Sequence, residues 1–300
     1  MAKKLIVIIP TAGRTNLLIN TLSYLVKCRK PNIYHETIIV ENGPKAGAEK
    51  IVKMYNKTLK VRYVYVPLGN KSFALNTALK TVHDCLVYFT DNDVRLDPGV
   101  LEKYAVAAEE KSGGEFYGGP FQAEYVKTPP EWLLEFLPIS AIGWNLGDKP
   151  RYIKNDSLFI GFNWAAFDTD IKRLGGFSPL HGPGSRTGAV GQETEMQKRL
   201  LENGVKGKYV PEAKVWHFVP PERCSTKFTA RRAFKWGIQN GLDYKGSLMR
   251  LWKRNFIDGI GALAGLAQSE PRKRFKPYYQ FCFSIGMIKG KFISKRNCFK

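Results

Sequence analysis

The 300-residue sequence predicts an α/β fold: a mostly parallel, Rossmann-like central sheet with helices on both faces, followed by a basic helical C-terminal extension. Three observations carry that prediction. Short apolar runs alternate with stretches whose leucines recur at helical spacing through the first half of the chain. The runs have the length and β-branching of strands buried on both faces. Near Arg223 the pattern changes to one that is helical, basic and aromatic.

The elements follow in order. Leu5-Ile6-Val7-Ile8-Ile9 is a strand ending in the loop Pro10-Thr11-Ala12-Gly13. Thr15 to Cys28 carries Leu17, Leu18, Leu22 and Leu25 at helical spacing. Residues 37–40, 61–66 and 85–90 read as three further strands, separated by helices over 46–56 and 71–82. A helix follows Pro98 to about Lys111, then a strand over 115–121. Residues 127–150 are rich in Pro and Trp and irregular, with one short helix over 131–136. Gln192 to Asn203 is a helix closed by Gly204, and 214–218 a last strand. In such sheets ligands sit beyond the carboxyl ends of the strands, which is where chemistry is to be sought.

Hydrophobic residues at 44% and charged residues at 24% suit a folded protein of one large domain with an appendage. The five cysteines, Cys28, Cys85, Cys224, Cys282 and Cys298, form no Cys-x-x-Cys pair and no metal-ligand spacing. They read as reduced thiols of a cytoplasmic protein. The apolar run at the N-terminus is too short for a secretion signal, and no segment approaches the roughly 20 apolar residues of a spanning helix. The net charge of +21 is unevenly placed: Arg223 to Lys300 holds 18 Lys and Arg against Asp243, Asp258 and Glu270. Such a segment seeks phosphate, on a nucleic acid or on an anionic lipid surface. There, Phe228, Phe234, Trp236, Leu248, Leu251, Trp252 and Phe256 interleave with the cations, as in helices that lie in a membrane interface; a basic face packed on the main domain fits equally well.

Four motifs could carry chemistry. Asp91-Asn92-Asp93 follows the fourth strand directly. Alone, such a pair is as readily a solvated turn; at a strand tip it makes a hard-oxygen site for Mg²⁺ or Mn²⁺. Glu41-Asn42-Gly43 follows the second strand, either to accept from a nucleobase or ribose, or simply to turn the chain. In Gly191-Gln192-Glu193-Thr194-Glu195, acids stand in a first helical turn, where the dipole keeps a carboxylate ionised for general-base work. Acids are also ordinary helix starters. Trp216-His217 and Glu222-Arg223 offer a metal ligand and a pyrophosphate clamp, although a lone His after a strand is more often a satisfied side chain. No Gly-rich phosphate loop of the Walker or dinucleotide kind is present.

Taken in order, residues 4 to 223 resemble the family-two inverting glycosyltransferases of the GT-A fold. Leu5 to Thr11 with Arg14 is similar to the family's opening strand and nucleotide loop, and Ile38 to Gly43 to its second strand with a base-binding acid. Gly69 to Leu79, with Ala74-Leu75-Asn76, resembles the helix flanking the donor. Asp91-Asn92-Asp93-Val94 followed by Pro98 resembles the DxD motif. Gly161 to Phe167 and Leu174-Gly175-Gly176-Phe177 are similar to the acceptor-side segment and its turn. Gly191-Gln192-Glu193 stands in place of the family's "G-E-D", so the base is one methylene longer and its neighbour uncharged. Ala12 replaces a common aromatic, one extra residue separates Gly69 from Ala74, and Ala78 replaces a glycine.

The resemblance implies a GT-A domain over 1–222, with a nucleotide-binding half to about 125 and an acceptor-binding half beyond it, and an extension over 223–300. It implies transfer of a sugar, with inversion, from a nucleotide-diphosphate donor, UDP being the commonest, to a hydroxyl of a glycan or lipid-linked saccharide, as in polysaccharide biosynthesis. Glu193 would be the catalytic base. Mn²⁺ or Mg²⁺ would be held by Asp93 with Asp91 and His217. Pro10, Thr11, Arg14, Glu41, Asn42, Asn76, Asp91, Asn92 and Arg223 would meet the donor, and Asn163, Trp164, Gly176 and Glu195 the acceptor. Acceptor choice would lie in 127–150 and 181–190. The chain would work in the cytoplasm, with 223–300 available to attach it to an anionic membrane, and nucleic acid is not an expected partner. Two other classes compete. A sugar-nucleotide nucleotidyltransferase would want a Gly-rich basic N-terminal loop, which Pro10 to Arg14 only faintly resembles. A basic nucleic-acid-binding protein would leave Asp91, Asp93 and Glu193 idle.

Overall fold

A computed structural model describes residues 4–297. Cys298 lies outside the described residues; Cys28, Cys85, Cys224 and Cys282 are free thiols. The chain runs β1 (Lys4–Thr11), α1 (Thr15–Lys27), β2 (Tyr34–Asn42), α2 (Ala48–Tyr55), β3 (Val61–Val66), α3 (Lys71–Leu79), β4 (Cys85–Phe89), β5 (Val94–Leu96) and α4 (Val100–Ala107). Next come β6 (Glu115–Gly118), β7 (Phe121–Tyr125), α5 (Glu131–Leu134), β8 (Gly143–Trp144), β9 (Arg151–Tyr152), β10 (Trp164–Phe167) and α6 (Asp168–Arg173). The last elements are α7 (Gln192–Glu202), β11 (Lys206–Tyr209), β12 (Val215–Val219), α8 (Thr226–Asp243), α9 (Leu248–Gly265) and α10 (Pro271–Asn297).

These elements form two units. The first, residues up to 122 with 143–184 and 192–218, is built on an eight-stranded sheet of order β3-β2-β1-β4-β10-β6-β11-β9. Strands β3, β2, β1 and β4 are parallel, β10 runs antiparallel between β4 and β6, and β9 runs antiparallel to β11. Alternate side chains of β1 feed opposite cores. Leu5, Val7 and Ile9 join α1 and α2, and Ile6 and Ile8 join α3. That is the two-faced burial expected of a parallel sheet. The strand expected over 115–121 is divided. A Cβ at Gly119 would come 2.0 Å from the Ala213 carbonyl, and Pro120 has no N–H to continue a ladder. Beyond the break the chain enters a second sheet, of order β5-β12-β7-β8.

The second unit comprises 123–142, 185–191 and residues from 219 on, which differs from a simple division at 223. The reason is apolar: Leu133, Phe136, Leu137 and Ala141 share a core with Val219, Ala230 and Phe275. Its long helices α8 and α10 meet backbone to backbone. A Cβ on Gly237 would lie 2.1 Å from the Phe283 carbonyl, and one on Gly290 the same distance from that of Ile238. Gly241 and Gly286 are equally confined. These Gly-x-x-x-Gly pairs, 237/241 and 286/290, let the helices approach as no side chain would allow. Gly237→Leu should therefore lower the unfolding free energy of the chain by about 2–3 kcal/mol or more, read by urea denaturation; a change within error would contradict this contact.

Candidate active site

In the first unit the strand order reverses between β1 and β4, with β2 and β3 on one side and β10 on the other. The carboxyl ends of these two strands therefore open the crevice where such sheets take ligands. Loops from both strands meet there. Asn92 donates from Nδ2 to Thr11 Oγ1 at 2.8 Å, and Asn42 from Nδ2 to the Thr11 carbonyl at 3.0 Å, all three residues being buried. Thr11 thus fixes the Asp91–Asp93 turn to β1 and β2.

Gly13 and Arg14 both adopt left-handed backbone, with φ of 70° and 55°. For arginine that conformation costs on the order of 1 kcal/mol. It returns the side chain over the strand end, where Arg14 Nη1 donates to Asp93 Oδ2 at 2.9 Å. Asp93 is buried, and His217 Nε2 lies 3.6 Å from its Oδ1. His217 arrives on β12, opposite Val94 in the small sheet, and its ring stacks on Phe162 at 4.5 Å.

Asp91, the other acid, meets a residue absent from the sequence-based set: Lys71 Nζ lies 2.5 Å from Asp91 Oδ1. Burial by itself would push the Lys71 pKa down. The carboxylates of Asp91, Glu193 and Asp93 outweigh it and hold the ammonium above its ordinary 10.5. One lysine therefore stands in the field of both strand-tip acids and of the candidate base. Glu193, in the first turn of α7, reaches this place because Gly161 makes room: a Cβ there would be 2.8 Å from Glu193 Cδ. Lys71 could have been noticed. It is the first residue of α3, after the cap Asn70, whose Oδ1 accepts from Phe73 N–H. A cation at the positive end of a helix dipole is unfavourable unless acids face it.

The helix carrying Lys71 is held by the loop over residues 178–184. Asn70 Nδ2 donates to the Pro179 carbonyl, Ser72 Oγ to that of His181, and the Lys71 N–H to that of Pro183. One turn on, Asn76 exchanges two 2.8 Å bonds with the backbone of Phe177. Gly176, at φ 76°, has no room for a Cβ beside Asn76 Oδ1.

Several residues expected at the ligands lie in this framework. Both Glu41 oxygens are engaged internally, Oε1 by Ala46 N–H at 2.6 Å and Oε2 by the Tyr63 hydroxyl at 2.5 Å; burial, then this bond, raises the Tyr63 pKa. Asn163 has no exposed surface. Its Nδ2 donates to the Pro120 and Ala213 carbonyls, and its Oδ1 accepts from Tyr104 at 2.9 Å. Trp164 is buried on β10 against Phe89. Glu195 forms a two-point ion pair with Arg199, which also holds the Gly176 carbonyl. Pro10 is a buried residue of β1, and Arg223 belongs to the second unit, in a 3₁₀ turn over Pro221–Cys224.

Among the described residues no three His, Cys, Asp or Glu side chains gather to hold a metal ion. The two strand-tip carboxylates still suit Mg²⁺ or Mn²⁺ in kind, since such ions are commonly held by one or two carboxylates together with substrate phosphates.

A mostly parallel sheet of this order, flanked by helices and with paired acids after its fourth strand, has the GT-A architecture. Comparison with known proteins agrees. The family model described as "Glycosyl transferase family 2" matches residues 6–174, and the chain belongs to that family. No curated protein sequence matches it. Among solved structures, it is similar to the mannosyltransferase PcManGT from Pyrobaculum calidifontis in complex with GDP-Man and Mn²⁺. The identity is 18%, over 98% of this chain and 87% of that one, and the TM-score is 0.60. S. aureus TarS 1–349 in complex with UDP-GlcNAc matches at 14% identity, over 98% of this chain and 92% of that one, with a TM-score of 0.57. The same protein in complex with UDP gives 14%, 97%, 92% and 0.56.

The charge arrangement has a pH signature. A raised folded-state pKa means that Lys71 contributes its stabilisation in full below 10.5 and loses it as pH rises through the higher folded value. Urea unfolding at pH 8 and pH 11 should show the wild-type chain losing more stability than Lys71→Met over that interval. Parallel losses would mean that the three acids do not support the ammonium.

Proposed function

We propose that the chain is an inverting glycosyltransferase that moves a hexosyl group from a nucleotide-diphosphate donor, UDP-linked in the first instance, to a hydroxyl of a glycan or lipid-linked saccharide. The observation that carries the proposal is the convergence on Lys71 of the strand-tip acids, with Asp91 in direct contact, and of Glu193 from a distant part of the sequence. Two of them follow the strand where a diphosphate would lie, and the third is the candidate base in the first turn of α7.

In this reading Glu193 takes the proton of the acceptor hydroxyl as its oxygen attacks the anomeric carbon from the face opposite the leaving group. The bond from that carbon to the phosphate oxygen breaks, the nucleoside diphosphate departs, and the configuration inverts. Lys71 and Arg14 turn from their carboxylates towards the phosphates and balance the leaving charge. A divalent cation, Mn²⁺ or Mg²⁺, would be held by Asp91 and Asp93, with His217 beside Asp93, and would stabilise that same charge. Thr11, Asn42 and Asn92 keep the strand ends in place beneath the nucleotide. Glu41 is proposed as a brace for the nucleotide loop. Asn163, Trp164, Gly176 and Glu195 would shape the acceptor side from behind. The free cysteines suit work in the cytoplasm.

Calorimetric titration of nucleotide sugars, with and without Mn²⁺, tests the reading as a whole; no binding by any of them would remove it. Glu193→Gln should retain donor affinity while transfer falls about 10²–10⁴-fold, measured by release of the nucleoside diphosphate; turnover within a few-fold of wild type would assign the base elsewhere. Asp93→Ala should lose donor affinity and cation dependence together, and an unaltered Mn²⁺ titration would exclude this carboxylate from the cation site.

A further inference from the structure

We propose that the outward face of α9 is a docking surface for an anionic lipid bilayer, on which the helix lies in the plane of the interface. Met249, Trp252, Phe256, Ile257, Ile260 and Leu263 are between 51% and 71% exposed. Their spacing places them on one arc of the helix, over about 21 Å at 1.5 Å per residue. They are not core residues left incompletely covered, because α9 already has an inner face. Leu251 is buried, Asn255 donates to Ser284 of α10 at 3.0 Å, and Gly259 lies against Phe281. The six form a second, opposite apolar face. It is a run of apolar residues along one side of a helix, not apolar residues scattered singly.

Charge selects the occupant. Arg250 is exposed beside the arc and Lys253 within it, where its long stem can carry the ammonium to the headgroups, and Arg254 is 66% exposed. The helix's one acid, Asp258, sits on the inner side, its carboxylate 13% exposed and 3.7 Å from Arg254. A second copy presenting the same face would set these cations against themselves, since a two-fold contact pairs a patch with its own image. Anionic phospholipid supplies the complementary sign to the cations and hydrocarbon to the arc, with Trp252 placed as interfacial tryptophans are. No described helix is long and apolar enough to cross a membrane, so α9 would lie on the surface. This inference does not rest on the transferase reading, because its test reads lipid binding alone.

The test is flotation of the full chain with vesicles of phosphatidylcholine containing about one-third phosphatidylglycerol, against pure phosphatidylcholine, at low and high salt. Binding should require the anionic lipid and weaken with salt. Phe256→Ser with Ile260→Ser, changes at exposed positions, should reduce it about tenfold or more, and Arg250→Gln with Lys253→Gln should reduce it without altering the melting temperature. Hydrogen exchange of the unaltered chain should slow over 249–263 when vesicles are added. Undiminished binding by the apolar variant, or protection elsewhere without protection of α9, would overturn the proposal. So would a stable dimer that this variant dissolves while leaving vesicle binding unchanged, which would make the face a protein contact.

Discussion

The ion pair between Lys71 and Asp91 is the constraint around which the first unit is arranged. Three carboxylates share a crevice from which water is partly excluded, and like charges so placed would repel one another and loosen the site. Lys71 and Arg14 prevent this by standing against Asp91 and Asp93. The lysine is itself unfavourably placed at a helix start, and the arginine adopts a strained backbone. Each cost is offset only because the acids are there. A site of this kind is a set of exchangeable charges. In the proposed function a ligand bearing two phosphates would take the cations, and a metal ion the carboxylates they release.

The surroundings keep that exchange local. Lys71 opens a helix fixed by Asn70, Ser72 and Asn76 to the loop over 178–184 and to Phe177. Asp91 and Asp93 flank an asparagine bonded to Thr11. These bonds hold the backbone beneath the charged groups, which is the kind of preorganisation that electrostatic catalysis requires.

The strands and helices of the first half were legible because burial on both faces leaves a strong apolar signal: residues 61–66 coincide with β3, and β1, β2 and β4 were placed within a few residues. Strand β10 was not seen, since Trp164-Ala165-Ala166-Phe167 is short and lacks β-branching. The strand-tip acids and the helix-start Glu193 were legible as well. What sequence could not separate was a residue that meets a ligand from one that positions it. Asn76 and Asn163 stand in motifs as polar residues, yet their amides are spent on backbone carbonyls and hydroxyls. Lys71 offers only a weaker signal, a cation at a helix start, because nothing in one dimension shows that Glu193, 122 positions away, faces it.

In the second unit the same ambiguity concerns aromatics among cations, and the glycines bear on it. Because Gly237, Gly241, Gly286 and Gly290 bring α8 and α10 into backbone contact, that pair has little interior for large side chains to fill. Leu251 takes a place on the inner side of α9, whereas Trp252 and Phe256 find none. A bundle held by glycine therefore turns its surplus apolar residues outward. On a face that also carries arginine and lysine, that surplus is what the proposed docking to anionic lipid would use.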